Sequence, residues 1–260
     1  MILGLARSWS LAGYAVAALL VLPLFALIFQ AFQPDEAVFG HLMATVLPTY
    51  IINSLLLIFW VSLGALLLAL PCAWLMARCD FVGRRYLQWA LLLPLAMPAY
   101  IVAYVYTDLL DYAGPVQRGL RSIFGWNSPQ DYFFPDIRTL GGAACMLSLV
   151  LFPYIYLLAR TAFMEQSLSL AHASRIMGCS PWQSFWRLSL PMARPALAVG
   201  VALVAMETAA DFATVNYFAV PTLTTAVYDT WLGYGNLTAA AKLSAIILLV
   251  VFSLIGFERF

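Results

Sequence analysis

Residues 139–162 read TLGGAACMLSLVLFPYIYLLARTA, and residues 163–194 continue FMEQSLSLAHASRIMGCSPWQSFWRLSLPMAR. The first stretch holds a single charge, Arg160, close to its end. It is long enough to cross a bilayer, which takes about 20 predominantly apolar residues. The second stretch is too polar to cross. At about thirty residues it is also long for a connection in a compact domain, which marks it as functional. A spanning rod followed by an informative loop is the pattern from which the rest of the chain is read.

The same pattern recurs along the 260 residues, of which 64% are hydrophobic and 10% charged. Soluble domains hold roughly 45–50% apolar and about 25% charged residues, so a soluble globular enzyme is excluded. Charges and helix-only backbone mark the span ends. They give six passes: Leu11–Phe32, Thr49–Ala77, Tyr86–Leu110, Thr139–Ala162, Pro195–Asn216 and Ala241–Phe257. The expected fold is an all-α integral membrane bundle of six helices. Residues 1–48 supply the first helix and an outer loop, and residues 49–260 supply the core with its loop 163–194. Pro94 and Pro98 should kink the third span, since each removes a helical hydrogen bond. Leu11–Phe32 exceeds the roughly 7–15 residues of a signal-peptide core and is read as a retained helix.

Thirteen basic against twelve acidic side chains leave a net charge of +1. No cationic surface for nucleic acid results, so membrane lipid and protein are the expected partners. With the N-terminus inside, Arg7, Arg78, Arg84, Arg85, Arg160, Arg175, Arg187, Arg194 and Arg259 lie inside; Arg118, Arg121, Arg138 and Lys242 lie outside. This excess obeys the positive-inside rule and places both termini in the cytoplasm. Outside, Asp111 to Arg138 combines charges of both signs with Trp126, Tyr132, Phe133 and Phe134, a composition suited to the headgroup layer or to a protein docking there. Asn216 to Ala240, with Pro221, threonines and Trp231, is too polar to span and should rest at the outer face.

Within the long inner loop, Ser180-Pro181-Trp182-Gln183 is a helix start. Serine caps, proline fits the first helical position, and glutamine closes a capping box. Pro191 should stop that helix. Trp182, Phe185, Trp186 and Ser189 then share one face. Upstream, Leu168 to Met177 reads as a second short helix, with Gly178 at its left-handed C′ position. Helices this short cannot span, so their apolar faces rest on the bilayer or bury against protein.

The spacing His172-Ala173-Ser174, Gly178, then Leu188-Ser189-Leu190-Pro191 resembles the Glu-Ala-Ala…Gly…Ile-x-Leu-Pro loop of binding-protein-dependent ABC import permeases. The similarity runs from about Asn53 to Glu258. It takes in Leu93-Pro94-Leu95-Ala96-Met97-Pro98 and Asp211-Phe212-Ala213-Thr214, which look like the ferric-iron permeases, with thiamine permeases as relatives. The resemblance implies a transport subunit of the bacterial inner membrane with no ATPase site or cofactor of its own. Its implied partners are a cytoplasmic ATP-binding subunit dimer, a periplasmic substrate-binding protein and a second permease half, in the same chain or as a homodimer. It implies that this chain corresponds to the N-terminal half of a double-length permease. The coupling role falls on His172, Ala173, Ser174, Gly178, Trp182, Phe185, Trp186, Leu188, Leu190 and Pro191. His172 stands where the family carries an acid, so the family's ion pair is not carried over.

Glu207 and Asp211 lie four residues apart in the fifth span, and Lys242, the only lysine, starts the sixth. Carboxylates rarely face lipid. Asp211 is expected to pair with Lys242, and Glu207 to face a translocation path, where hard oxygens suit a ferric ion. His41 and His172 are isolated, and no nucleophile elbow, zinc-binding helix or phosphate loop occurs, which argues against an enzyme. Four scattered cysteines without a Cys-x-x-Cys pair give neither a disulfide framework nor a metal site. The alternatives are a thiamine or other small-solute ABC permease, or a self-sufficient secondary carrier or channel. Such a carrier would show paired broken helices, and only the third span is interrupted by prolines in this way.

Overall fold

The computed structural model describes residues 2–34, 38–167, 169, 174 and 176–258. Among them helix follows helix, with no strand. In order these are α1 (Ile2–Ala31), α2 (Val38–Thr45), α3 (Leu47–Arg78), α4 (Arg84–Ala90), α5 (Ala99–Leu110) and α6 (Pro115–Phe124). Then come α7 (Leu140–Glu165), α8 (Pro181–Ala210), α9 (Ala213–Tyr217), α10 (Leu223–Tyr228) and α11 (Leu237–Glu258). Five of them, α1, α3, α7, α8 and α11, are long and apolar enough to cross a membrane. The bent unit of α4 to α6 makes a sixth passage if counted as one.

The core is built on α7, whose most apolar window is 67% buried, against 0% for α1. Along α3, Val61, Ala65, Ala69 and Ala73 recur every four residues and are fully buried against α7. Small side chains on such a stripe let two backbones approach, which is how helices associate where lipid is as apolar as leucine. A side-chain carbon at Gly64 would collide with Ser148 Oγ. That hydroxyl donates to Ala144 O at 2.7 Å within α7 and reaches Val61 O of α3 at 3.2 Å. A second small cluster joins Leu42 of α2, Leu47 of α3, Leu223 and Ala226 of α10 and Leu243 of α11. α1 rests on α11, with Gln30 Nε2 donating to Thr238 Oγ1 at 2.9 Å. Its exposed large side chains, among them Leu20, Phe25 and Phe29, suit a lipid environment.

Three expectations about the passes need correction. The third span is broken rather than kinked: α4 ends at Ala90, a tight turn covers Leu93–Ala96, and the two arms meet at 96°. The cause is Met97, forced by Pro98 out of the helical region to φ −111°, ψ 130°. Pro191, by contrast, stops nothing. A π turn over Phe185–Ser189 sends the Leu190 N–H to Phe185 O, one residue farther than an α-helix would. The skipped hydrogen bond falls where proline has no N–H to lose, so the helix runs on. Finally, α8 ends at Ala210 rather than near Asn216, because Asp211 turns extended at ψ 125°.

Candidate functional site

One end of the bundle gathers the C-termini of α3 and α7 and the start of α8. Arg78 Nη2 donates to Gln166 Oε1 at 3.0 Å, and Gln166 Nε2 donates to Ser189 O at 2.9 Å. The buried Gln166 amide thus fastens the last turn of α3 to the π turn of α8. Arg160 Nη2 donates to Gln88 Oε1 at 2.9 Å and ties in α4.

The elbow before α8 is set by local chemistry. Gly178 has φ +79°, and the Cys179 N–H returns to Ser174 O at 3.0 Å, closing the preceding turn as a left-handed C′ glycine does. Ser180 Oγ accepts from the Gln183 N–H at 3.2 Å, and Gln183 Oε1 accepts from the Ser180 N–H at 3.0 Å. This is the reciprocal cap expected of Ser-Pro-Trp-Gln. Ser174 is buried, with its Oγ 3.1 Å from Ser184 Oγ. His172 and Ala173 lie outside the described residues.

The aromatic face divides in two. Phe185 is 6% exposed and meets Trp74 of α3 at 5.4 Å and Phe163 of α7 at 6.2 Å, edge-on or tilted. Ser189 is buried with it. Trp182 and Trp186 pack on Phe185 yet remain 65% and 50% exposed. Of the four residues expected on one face, Phe185 and Ser189 point into the bundle and the two indoles stay open to a partner or the bilayer. Leu188, Leu190 and Pro191 are half-buried as the helix enters the bundle. Beside the two indoles an open groove of about 550 Å³ runs between α3 and α8, lined by Leu70, Trp74, Leu75, Trp186 and Leu197 among others.

The predicted charged residues sit toward the other end. Glu207 is exposed near the end of α8. Asp211 does not join Lys242: its carboxylate accepts the N–H groups of Thr214 at 3.1 Å and Val215 at 3.2 Å. From one residue before the N-cap, Phe212, it satisfies the first free N–H groups of α9, and its own carbonyl receives the Thr224 hydroxyl at 2.8 Å. Ion pairs among the described residues join Arg84 to Asp80 and Arg138 to Asp111. Lys242 Nζ lies 5.4 Å from the centre of the Phe39 ring. Asp-x-x-Thr is a capping pattern that could have been seen in the sequence, but the apolar residues around it favoured a continuing helix. Gln166 and Trp74, which position the elbow, carried no comparable signal. Among the described residues no group of three His, Cys, Asp or Glu side chains could hold a metal ion, and all four cysteines are free.

That same distal end carries a polar cap. Gln117 Nε2 donates to Leu110 O at 2.8 Å, the Tyr132 hydroxyl donates to Gln117 Oε1 at 2.6 Å, and Arg121 Nη1 donates to the Tyr132 oxygen at 2.8 Å. Trp126 is stacked between Phe124 and Tyr132, at 4.7 and 4.8 Å.

A membrane bundle with a core of close-packed small residues, a broken third passage and a capped elbow before a thirty-residue rod has the fold of an ABC importer permease. The chain belongs to the family described as binding-protein-dependent transport system inner membrane component, whose model matches residues 69–258. It is 29% identical over 210 residues to the Fe(3+)-transport system permease protein FbpB 2 of Haemophilus influenzae. That match takes in 79% of this chain but only 37% of the relative, so the chain spans little more than a third of that protein's length. It is also 29% identical over 204 residues to the molybdenum transport system permease protein ModB of Escherichia coli, 75% of this chain and 86% of the relative. Among solved structures, a bacterial alginate ABC transporter, in complex with an alginate pentasaccharide-bound periplasmic protein, aligns at a TM-score of 0.76. The alignment covers 98% of this chain and 94% of that one, at 18% identity, which speaks to the fold.

Proposed function

We propose that this chain is the membrane-spanning subunit of an ATP-driven, binding-protein-dependent importer of the bacterial inner membrane. The observation that carries the reading is the elbow at Gly178–Trp186: two exposed indoles seated on the buried Phe185, at the head of one continuous helix. An exposed aromatic pair on a rigid seat is suited to receive a partner, since Trp anchors dominate protein interfaces. Here that partner is a cytoplasmic ATP-binding subunit, one of a dimer, with His172 and Ala173 in the contact and the buried Ser174 bracing the elbow from within. A periplasmic binding protein approaches the opposite end, and a second permease half completes the path. Both termini then lie in the cytoplasm, on the side with more arginines. Closure of the ATP-binding dimer pulls on the elbow, α8 tilts, and the paired bundles rock to open outward toward the loaded binding protein.

The substrate class is a small inorganic ion, with ferric iron first. The iron-transport relative supports it, as does the exposed Glu207 carboxylate on α8, a hard-oxygen group of the kind ferric iron takes. A tetrahedral oxyanion is the second reading, supported by the molybdenum-transport relative of similar identity.

Co-expression with an ATP-binding subunit and mild detergent extraction tests the mechanism. The two should co-purify, and Gly178→Val, which strains a backbone at φ +79°, should abolish the association. Retained association in that variant overturns the elbow's role. Uptake of radiolabelled iron against molybdate, with Glu207→Gln beside the parent, tests the substrate. Loss of iron uptake is expected, and molybdate uptake alone would overturn the iron reading.

A further inference from the structure

α6 is amphipathic in the sense opposite to that of a helix packed on a bundle. Its sequence, PVQRGLRSIF, places Val116, Leu120, Ile123 and Phe124 on one stripe, Gln117 and Arg121 on its flank, and Arg118 and Ser122 on the far side. In the fold it is the polar flank that turns inward. Gln117 is buried and binds the last carbonyl of α5, and Arg121 donates to Tyr132 and to Tyr112 O at 3.0 Å. The Arg121 guanidinium also lies 4.1 Å over the Tyr112 ring. The apolar stripe is left facing outward, with Ile123 77% and Phe124 60% exposed.

What covers that stripe is decided by its surroundings. α6 begins a few residues after α5 and is bonded to its end, at the level where the chain leaves the apolar passage. Trp126 and Tyr132, stacked beside Phe124, are the ring types that concentrate at the membrane–water boundary. Arg118, exposed on the polar side, adds positive charge complementary to phospholipid phosphates. A helix lying in that boundary buries its apolar face about 5–10 Å deep and needs no shaped pocket.

We propose that α6 is an interfacial anchor. Its Val116–Leu120–Ile123–Phe124 stripe lies in the headgroup–acyl boundary of an anionic bilayer, and the Gln117–Arg121 network passes that fixed depth to the end of α5. The occupant is phospholipid, and the anchor holds one arm of the broken passage at constant height while the rest of the bundle moves. The placement stands whether or not the importer reading does, because it depends on the fold and the bilayer alone; the constancy of height during transport rests on that reading.

The test places a photoreactive diazirine amino acid at Ile123 or at Arg118 in the full chain, reconstituted in vesicles of phosphatidylethanolamine and phosphatidylglycerol. After illumination, adducts are identified by mass spectrometry, and thermal unfolding of both labelled proteins is compared with the parent to confirm the fold. A phospholipid adduct in several-fold higher yield at Ile123 than at Arg118 is the expected result. Protein adducts at Ile123, solvent products alone, or equal lipid yields at both positions each overturn the proposal.

Discussion

Two aromatic clusters occupy opposite ends of this bundle and are built on opposite plans. At the head of α8, Trp182 and Trp186 are exposed and depend on one buried ring, Phe185, for their position. At the far end, the Phe124–Trp126–Tyr132 stack is braced by hydrogen bonds through Gln117 and Arg121 and needs no other polypeptide to hold its shape. The first cluster offers surface on a rigid mount, and the second consumes its own polar groups internally. A cluster meant to receive a moving partner is held by packing beneath it. A cluster that sets a fixed height is locked by directed bonds.

The most disruptive way to break this contrast is at the mount. Phe185→Ala should destabilise the chain by about 3–5 kcal/mol, because the cavity opens among Trp74, Phe163 and the elbow where the helices cannot collapse. Denaturant unfolding in detergent, followed by tryptophan fluorescence, measures it. A smaller loss, about 1–3 kcal/mol, is expected for Gln117→Leu. That change removes the acceptor of the Tyr132 hydroxyl and the donor to the Leu110 carbonyl in a half-buried setting, leaving Arg121 as the remaining partner of Tyr132. The same assay reads it, and a neutral result would show that the distal cap is held by stacking instead of by its bonds. The mildest effect on stability belongs to Trp182→Ala, about 0.5–1.5 kcal/mol for the lost stack on Phe185. Its association with a co-expressed ATP-binding subunit should nevertheless fall sharply, as measured by quantitative co-purification. If Trp182→Ala unfolds the chain as readily as Phe185→Ala, the two indoles are part of the mount and the contrast fails.

Much of the fold was legible because apolar length and the absence of charge are local properties. The long rods α3 and α7 begin and end within a few residues of where the sequence places them, and the Ser180–Gln183 cap and the left-handed Gly178 follow from residue chemistry alone. Proline proved ambiguous because its effect depends on its neighbours. Pro98 breaks a passage by forcing Met97 extended, whereas Pro191 is absorbed by a π turn that no periodicity announces. Asp211 was misread for a related reason: a carboxylate can meet a distant lysine or the nearest unpaired N–H groups, and the chain turn at Ala210 brings the latter closer. The partition of Trp182, Phe185 and Trp186 between solvent and core rests on where α3 and α7 lie, which is tertiary information.

Because α8 runs without interruption from Pro181 to Ala210, its thirty residues form a strut about 45 Å long. No loop intervenes between its two tips. Whatever shifts the aromatic head therefore reaches Glu207 and the turn at Asp211 as a movement of one solid piece, so events on either bank of the membrane are registered on the other without delay in any flexible joint.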